Sequence, residues 1–434
     1  MTQPRIVITG MGWITPLGHD IESVWQALLR GESGMGPIEH FDASTYPTTF
    51  ASQVREYDFT KYVKDPALHE GIGRNTAYAL GSAAQAWKAA GLDQFDAQGK
   101  LDHDRLGLYL GSGEGIIDFD NHVAANLASW NAETNSVDGG KWAEVAKRRM
   151  TFLAEVEQEP NMPLTHVAME FQARGPAFNC LTACAASTQA IGEATEILRR
   201  GDADVMITGG AHTMIHPFGV TGFNRLTALS TRNDSPQTAS RPFSYDRDGF
   251  VLGEGGGILI VETLEHAKAR NAPILAEILG YGSTADAYRI TDIHPDGRGA
   301  MSAMKRALED AHVTIHDIDY ISAHGTSTKE NDSIESKAIK TLFGEHAKNV
   351  PVSSTKSMLG HLIAAAGVSE AIVCVLAIRD QMLPATINLN TPDPACDLDY
   401  VPNQARKAKV ETCLSNSFGF GGQNDTLIIR RFTA

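Results

Sequence analysis

Cys184 lies in the segment NCLTACAAS (179–187), just before a stretch with helical periodicity. A cysteine in the first turn of a helix lies among unpaired backbone N–H groups and at the positive end of the helix dipole, and both favour the thiolate. The position therefore predicts a nucleophile with a lowered pKa. The alternative is that Cys184 and Cys180 are small core residues, because free cysteine is among the most buried residue types.

Two histidines and a lysine follow predicted strands. His324 lies in SAHGTST (322–328), and the segment SSTKSMLGH (353–361) contains Lys356 and ends at His361. Side chains at the carboxyl end of a strand face the crevice in which open α/β sheets bind ligands. Taken alone, His324 is more often a loop residue with satisfied hydrogen bonds. Lys356 resembles a phosphate-loop lysine, but the GxxxxG that should precede it is missing, so no nucleotide site is predicted.

The segment NSFGFGGQN (416–424) combines three glycines with two phenylalanines. Such glycines permit close backbone approach and movement, and the aromatic rings can close an apolar pocket. The alternative is an ordinary glycine turn between strands. Together the four segments predict a thiol-nucleophile site with two imidazole donors, a lysine and a mobile loop.

Short apolar runs alternate with stretches of helical period, which is the pattern of an α/β protein. Most runs lack period-two alternation, so helices are expected on both faces of the sheet. The predicted strands are 5–9, 106–110, 204–208, 257–262, 274–280, 320–323, 350–353 and 427–431. Each half of the chain offers a strand, a turn and a helix with a reactive residue near its start. This favours two related halves, 1–265 and 266–434.

One polar segment, 117–160, departs from this alternation of strands and helices and is predicted to be a helical insertion. Within it, residues 141–158 are expected to form one amphipathic helix. The residues near its apolar face are Trp142, Val145, Phe152, Leu153 and Val156.

The 434 residues carry 37 Lys and Arg against 52 Asp and Glu, a formal net charge of −15. This argues against binding to nucleic acid or an anionic membrane, because both need a basic surface. The start of the chain lacks a secretory signal pattern, and the longest apolar run, 362–378, is interrupted by Ser369 and Glu370, which favours a buried helix over a membrane span. Five scattered cysteines without CxxC spacing indicate a reducing compartment, the cytoplasm, and neither disulfides nor a zinc site.

Eight ordered motifs along nearly the whole chain resemble those of the elongating β-ketoacyl-[acyl-carrier-protein] synthases of type II, which have the thiolase-like fold. Eight motifs in order are far more specific than any one of them. They are VITGMGWITPLG (7–18), the spacing from Trp25 to Gly34, GDADVMITGGA (201–211), ALSTRND (228–234), RPFSYDRDGFVLGEGGG (241–257), AHGTST (323–328), VSSTKSMLGH (352–361) and NSFGFGG (416–422). The resemblance implies duplicated α/β halves in an α-β-α-β-α layered sandwich.

The resemblance also implies a Cys-His-His site. Cys184 would take the acyl group from an acyl-carrier protein, and His324 and His361 would donate hydrogen bonds to the thioester carbonyl of malonyl-carrier protein as CO₂ leaves. Lys356 would act electrostatically near the histidines. The backbone N–H groups of Cys184 and Phe420 would form the oxyanion hole, with Phe420 also gating the site.

Further positions are implied around this centre. Thr291, Thr326 and Thr328 match residues that contact the phosphopantetheine arm of the carrier, while Asp332 and Glu335 lie where they could orient the His324 loop. The acyl pocket would be lined by Glu114, Phe223 and Phe420. No metal and no organic cofactor are implied, because the substrates arrive on phosphopantetheine.

The chain departs from the family pattern at three places. Glu114 stands where elongating members commonly have an apolar residue, and a carboxylate beside an acyl chain is costly unless it is paired or protonated. The acyl pocket is therefore expected to be shortened, polar at its floor, or rebuilt by the 117–160 insertion. A basic pair common near residues 70–73 is missing, so carrier docking is assigned to Lys147, Arg148, Arg149 and Arg225, although a run of basic residues is usually a solvated helix face.

The sequence thus predicts a cytoplasmic, homodimeric enzyme that condenses an acyl-cysteine intermediate with malonyl-carrier protein to give 3-oxoacyl-carrier protein in fatty acid synthesis. A ketosynthase of a type II polyketide or polyene pathway is the first alternative, favoured by Glu114 and the insertion. The second alternative is that the chain is a noncatalytic chain-length subunit, but such subunits typically lack the nucleophile. A subunit of that kind could also be the partner of this chain in a heterodimer. A thiolase would not show the AHGTST and SSTKSMLGH motifs.

Overall fold

The computed structural model describes residues 3–433. Within them, ten strands form one mixed sheet whose long central strands are buried along their length. In chain order they are β1 (Ile6–Ile14), β2 (Leu106–Gly111), β3 (Ala177–Cys180), β4 (Val205–His212), β5 (Gly255–Thr263), β6 (Ala276–Ala285), β7 (Tyr320–Ser322), β8 (Val352–Ser353), β9 (Thr412–Gly419) and β10 (Gln423–Arg430). Three two-stranded pairs lie outside this sheet, at Met35–Pro37 with Phe50–Ser52, Trp130–Asn131 with Ser136–Val137, and Met382–Leu383 with Arg406–Lys407.

The two halves of the sheet have the same topology. The strand order is β1-β5-β4-β2-β3 in the first half and β6-β10-β9-β7-β8 in the second. In each half the first, fifth and fourth strands pair antiparallel, while the fourth, second and third pair parallel. An antiparallel ladder between β1 and β6 joins the halves. The predicted domain boundary at 265/266 lies between β5 and β6, and as a boundary it stays a prediction.

Helices cover both faces of each half-sheet and meet between them, as the lack of alternation predicted. The helix α2 (Arg74–Ala89) packs on β1, β5 and β4, and the pair α8 (Ala186–Arg199) and α14 (Ala366–Asp380) forms the central layer. The helix α11 (Arg298–Asp310) packs on β6 and β10, with α12 (Lys329–Phe343) beside it. This gives the five-layer α-β-α-β-α arrangement. The α-helices are α1 (Ile21–Arg30), α2 (Arg74–Ala89), α3 (Leu92–Ala97), α4 (Phe119–Ser129), α5 (Gly139–Arg149), α6 (Phe152–Glu157), α7 (Met162–Phe171), α8 (Ala186–Arg199), α9 (Pro217–Arg225), α10 (Leu264–Ala269), α11 (Arg298–Asp310), α12 (Lys329–Phe343), α13 (Lys356–Leu359) and α14 (Ala366–Asp380).

The helix α14 is buried from Ala366 to Ile378, so the apolar run at 362–378 is an interior helix, as predicted. A helix that is apolar all round has to lie in the core of a large protein or in a membrane. Across residues 3–433, none of the helices combines the length and hydropathy needed to cross a bilayer.

All eight predicted strands overlap strands of the sheet, but β3 and β9 were not predicted. The strand β3 is a short edge strand with exposed residues, so it lacks a buried apolar run. The strand β9 contains Asn416 and Ser417, which have low strand propensity. The segment 416–424 therefore matches the alternative interpretation, a glycine turn between strands: Thr412–Gly419 pairs with Gln423–Arg430, and the turn is confined to Phe420–Gly422.

The insertion is helical, but residues 141–158 do not form one helix. The helix α5 ends at Arg149, and Thr151 starts α6 by accepting a hydrogen bond from the backbone N–H of Ala154. A side chain that caps the helix start in this way competes with continuation of the preceding helix. The predicted apolar face is also divided, since Phe152 is 83% exposed.

Candidate active site

The candidate site residues lie at or just after the ends of six strands. Because β2, β3 and β4 are mutually parallel, their carboxyl ends meet at one edge, and the same holds for β7, β8 and β9. In the first half, Glu114 follows β2, Cys184 follows β3 and His212 ends β4. In the second half, His324 follows β7, Lys356 and His361 follow β8, and Phe420 follows β9. The structure thus brings together residues that are up to 306 positions apart, from Glu114 to Phe420.

Cys184 and His361 are in hydrogen-bond contact. The Cys184 Sγ lies 3.0 Å from Nε2 of His361, and the backbone N–H of Ile363 donates to Nδ1 of the same ring at 3.3 Å. A ring nitrogen that accepts a hydrogen bond carries no proton, so the neutral imidazole of His361 carries its proton on Nε2. His361 therefore points an N–H donor toward the thiol.

His324 is oriented by Lys356. The ammonium of Lys356 donates to the backbone carbonyl of His324 at 2.6 Å and lies 3.4 Å from its Nδ1. Since an ammonium can only donate, Nδ1 accepts and the proton of a neutral His324 is on Nε2. Lys356 is itself paired with the buried carboxylate of Glu370, whose pKa burial raises to about 7 against the lowering effect of Lys356.

Both histidines are neutral near pH 7. Burial holds the pKa of His324 well below its ordinary value, and the nearby charge of Lys356 lowers it further. Burial also lowers the pKa of His361 well below its ordinary value, with further lowering from Lys356 and His212. Two neutral rings with Nε2–H groups can stabilise negative charge on an oxygen without transferring a proton.

The prediction that the helix start lowers the pKa of Cys184 is wrong in its net direction. Burial raises the pKa of this thiol to about 11, because Cys184 is only 6% exposed and a thiolate there loses its hydration. The charge of Lys356 and the backbone N–H groups of Phe420 and Cys184 lower the pKa by a smaller amount. The local turn, Ala183–Ala185, does lie directly before α8. Cys184 in this structure is therefore a protonated thiol at pH 7.

Glu335 holds the His324 loop in place. Its carboxylate accepts hydrogen bonds from the backbone N–H groups of His324 at 2.9 Å and Gly325 at 2.8 Å. Asp332 does the same for the backbone N–H groups of Phe243 at 2.8 Å and Ser327 at 3.2 Å. Both carboxylates thus contact the backbone around His324, where the sequence placed orienting groups.

Three neighbouring cavities share Phe420 as a lining residue. An inner cavity contains Cys184, His324 and His361 and is also lined by Thr326. An outer cleft is lined by Thr291 and Thr328, and these line the approach to the inner cavity. A third cavity lies beyond Phe223 and is lined by Glu114, His212 and Met214. Phe420 is a wall of all three, which is the position of a gate.

The structure places the remaining sequence-derived residues as follows. Glu114 lies on the wall of the third cavity, and its side chain is exposed. Its carboxylate is therefore not buried at a closed end of the pocket. The run Lys147–Arg149 is exposed on α5, inside the insertion. Arg225 ends α9, next to Leu226 and Thr227 of the outer cleft. Arg225 is the predicted docking residue that the structure places beside this opening.

Sequence reasoning missed two residues near the reacting groups, His212 and Glu370. His212 follows the motif GDADVMITGGA directly and ends a strand, which is the same signal that drew attention to His324. Glu370 lies within an apolar helix, and its partner Lys356 comes from another element. A buried carboxylate in such a helix implies a cationic partner, but the sequence does not show which.

A metal would find three possible ligands, one thiol and two imidazoles, at this centre. The ligand atoms of Cys184, His324 and His361 lie within 4.8 Å of one another. This set matches zinc chemistry, although zinc would need the three atoms closer together. The ammonium of Lys356 next to His324 opposes a second positive charge, so the donor set fits a metal poorly.

Comparisons with known proteins identify the family of the chain. A sequence model described as the beta-ketoacyl synthase N-terminal domain matches residues 3–267, and one for the C-terminal domain of the same family matches residues 275–390. The chain is 43% identical over 432 residues to the 3-oxoacyl-[acyl-carrier-protein] synthase 2 of Coxiella burnetii, covering 99% of both chains.

Two solved structures resemble it over their whole length. One is a type II PKS acyl-carrier protein in complex with its ketosynthase bound to the hexaketide, AntDE:AntF, with 34% identity, a TM-score of 0.84 and 100% of both chains covered. The other is the ishigamide ketosynthase/chain length factor, with 33% identity, a TM-score of 0.87 and 100% of both chains covered. The family models, the near-complete alignment and the thiolase-like fold show that the chain belongs to the β-ketoacyl synthase family.

Proposed function

We propose that this chain extends acyl groups by two carbons, condensing an acyl-cysteine with malonyl-[acyl-carrier-protein] to give 3-oxoacyl-[acyl-carrier-protein] in fatty acid synthesis. The observation that carries the proposal is that the Cys184 thiol and two neutral imidazoles lie within 4.8 Å of one another and line one cavity. The names of the curated relatives support it, since these are 3-oxoacyl-[acyl-carrier-protein] synthases.

The first step is acyl transfer to Cys184. Its Sγ attacks the carbonyl carbon of the acyl thioester, a new S–C bond forms, and the bond to the sulfur of the carrier arm breaks. The departing sulfur takes the proton that Cys184 loses. The backbone N–H groups of Cys184 and Phe420, which face Sγ, stabilise the tetrahedral oxyanion.

The second step is decarboxylation of the malonyl group. The C–C bond to its carboxylate breaks, CO₂ leaves, and the electron pair forms an enolate on the thioester oxygen. The Nε2–H groups of His324 and His361 donate to that oxygen, where negative charge develops. The carbanion then attacks the acyl-Cys184 carbonyl, a C–C bond forms, and the S–C bond to Cys184 breaks. The released thiolate takes a proton from solvent, which restores the thiol. Lys356 keeps His324 in the tautomer that donates.

The carrier protein is the proposed partner, with its arm in the outer cleft beside Thr291 and Thr328 and its acidic surface against Arg225. The chain itself has a net charge of −15, so a local basic group is needed to attract an acidic carrier. Reversing the charge of Lys147, Arg148 and Arg149 together tests the alternative docking site on the insertion.

The proposed assembly is a homodimer. Strand β3 is an edge of the sheet, and Phe178 on it is 52% exposed, while Leu181 just after it is 57% exposed. An edge strand with exposed apolar side chains is a surface that a second chain can cover. Pairing with a ketosynthase-like chain-length subunit would use the same edge. We place the enzyme in the cytoplasm, because the five cysteines are buried as free thiols.

A second candidate is a ketosynthase of a type II polyketide or polyene pathway. Glu114 and His212 line the third cavity and favour this candidate, since polar side chains there suit an acyl chain that carries polar groups. The two solved structures reported above include a type II PKS ketosynthase.

The test is to incubate the protein with octanoyl-carrier and malonyl-carrier and to identify the product by mass spectrometry. We expect 3-oxodecanoyl-carrier and release of one CO₂ per product. A product longer than octanoyl by several two-carbon units, formed without release of shorter intermediates from the enzyme, would favour the polyketide candidate. Absence of any condensation product with every acyl carrier tested would overturn the proposal.

A further inference from the structure

Four buried side chains form a row of hydrogen bonds where the insertion rejoins the rest of the protein. Oε1 of Glu157, at the end of α6, lies 2.9 Å from Nε2 of His166 on α7. Nδ1 of His166 lies 2.9 Å from Nδ1 of His69, which ends the turn Pro66–His69. Nε2 of His69 lies 3.1 Å from Oε2 of Glu170, one helical turn beyond His166. We call these four residues the buried cluster.

The three contacts of the buried cluster need three protons. Each contact joins two atoms that carry lone pairs, so it is attractive only if one proton lies between them. Two neutral imidazoles supply one proton each, and two ionised carboxylates supply none. The geometry therefore requires a third proton, held on a ring as an imidazolium or on a carboxyl group. In either case the cluster carries one negative charge instead of two.

The third proton also serves the charge balance of the buried cluster. Across residues 3–433, neither carboxylate is paired with a lysine or arginine side chain. The second oxygen of Glu170 accepts from the backbone N–H of Lys64 at 2.9 Å, while the Lys64 side chain is exposed. The second oxygen of Glu157 is buried without a partner in the described residues. Two uncompensated buried charges are costly, so a bound proton stabilises the closed arrangement.

Other titratable groups occur on the elements packed around the buried cluster. Within the part of the chain that the structure describes, none of them is hydrogen-bonded to its side chains. They are Glu155 on α6, Asp65 and Glu70 beside the turn, Arg74, Tyr78 and Lys88 on α2, and Tyr109 on β2. The count of protons therefore concerns the four side chains alone.

The end of α6 is in close contact with the segment that follows β2. A Cβ atom on Gly115 would lie 2.5 Å from the backbone oxygen of Glu157. The backbone N–H of Gly115 donates to the carbonyl of Gln158 at 2.8 Å, and the hydroxyl of Ser112 donates to the carbonyl of Pro160. The buried cluster thus anchors the part of the insertion that contacts this segment.

We propose that the buried cluster is a proton-dependent clamp that fixes α6 to α7 while it holds its third proton and releases α6 as the pH rises. When the proton leaves to solvent, two lone pairs face each other in one contact, and opening of α6 removes that repulsion. The closed state binds one proton more than the open state, so opening becomes about tenfold more favourable for each pH unit. The clamp does not depend on the proposed function, because its four residues lie outside the three cavities that share Phe420.

The variant Glu157→Gln tests the clamp, because it removes the need for the third proton and keeps the shape of the side chain. The amide N–H at 157 can donate to Nε2 of His166, and the two neutral rings then fill the other two contacts. Glu170→Gln does the same from the other end, and its amide oxygen can still accept from the backbone N–H of Lys64. It replaces the first variant if Glu157→Gln does not fold.

The measurement is hydrogen–deuterium exchange of the full chain at about pH 6, 7 and 8, the range in which histidine titrates, read by mass spectrometry on peptides from α6. Intrinsic exchange at a given pH is the same in wild type and variant, so the ratio of their rates isolates the clamp. We expect the ratio of wild type to Glu157→Gln to rise by about tenfold per pH unit.

The matched control is Glu144→Gln, the same substitution at an exposed position of the insertion. Its ratio to wild type should stay near one at every pH. A ratio for Glu157→Gln that does not change between pH 6 and pH 8 overturns the clamp, since a purely structural carboxylate would give a constant effect. An equal rise for Glu144→Gln also overturns it, because the effect would then belong to any carboxylate of the insertion.

Discussion

Cys184 and His361 come from corresponding places in the two halves of the sheet, and their side chains meet with 3.0 Å between Sγ and Nε2. Each lies between the third strand of its half and a buried helix, α8 or α14. The turns before these helices, Ala183–Ala185 and Ile363–Ala365, have the same length and form. The duplicated fold therefore places a nucleophile on one half and a hydrogen-bond donor on the other.

Replacing the nucleophile should separate the two chemical steps. Cys184→Ala should abolish condensation but retain release of CO₂ from malonyl-carrier protein, because His324 and His361 still stabilise the enolate. Labelled CO₂ and 3-oxoacyl product are measured in the same reaction. Continued condensation by the variant would contradict the assignment of the nucleophile.

Removing either imidazole donor should slow decarboxylation. His324→Ala or His361→Ala should each reduce the rate of CO₂ release by about 100- to 1000-fold, the usual cost of losing one donor to a developing oxyanion. The control is His316→Ala, which removes an exposed imidazole elsewhere. A loss of less than about threefold in both active-site variants would show that the histidines do not stabilise the enolate.

The ion pair of Lys356 with Glu370 should affect stability strongly. Lys356→Met leaves a buried carboxylate unpaired, which should lower the free energy of unfolding by about 3–5 kcal/mol. The double variant Lys356→Met with Glu370→Leu should recover part of that loss. Lys337 pairs with Asp296 at the surface, so Lys337→Met should cost less than about 1 kcal/mol. Urea denaturation measures all three, and equal losses for Lys356→Met and Lys337→Met would contradict the role of burial.

The depressed pKa of His212 should appear in the pH dependence of stability. Between its folded pKa of about 4 and its unfolded value of 6.5, the unfolded chain binds the proton more tightly. Stability from this group is therefore complete above pH 6.5 and decreases as the pH falls toward 4, by at most about 1.4 kcal/mol per pH unit. His212→Leu should show a shallower loss over this window in urea titrations. Identical slopes in the two proteins would contradict the burial of a neutral ring.

Much of the site was predictable because its residues follow strands that have clear apolar runs. His324, Lys356 and His361 follow such runs, whereas Cys184 follows β3, which has none, and was predicted from the helical period after it. The two parallel sets of strands bring these ends together. The α/β class and the interior position of α14 followed from hydropathy alone. The prediction failed where local sequence was ambiguous, as at β3, β9 and the break after Arg149.

The remaining features depend on contacts between distant parts of the chain. The thiol pKa of Cys184 is set by how completely the site is closed, which outweighs the helix start. Likewise, Lys356 and Glu370 pair across two elements, and the ring of His212, at the end of β4, is buried against Gly113. A local pattern carries no information on how much water a folded site excludes.

The role of Cys184 as nucleophile is tested most directly by intact-mass and peptide mass spectrometry of the protein after incubation with acyl-carrier protein. We expect one acyl group per chain, located on Cys184. The adduct should be absent in Cys184→Ala and retained in Cys180→Ala, which changes the neighbouring buried thiol. An acyl group on Cys180 or on any other residue, with Cys184 unmodified, would contradict the account.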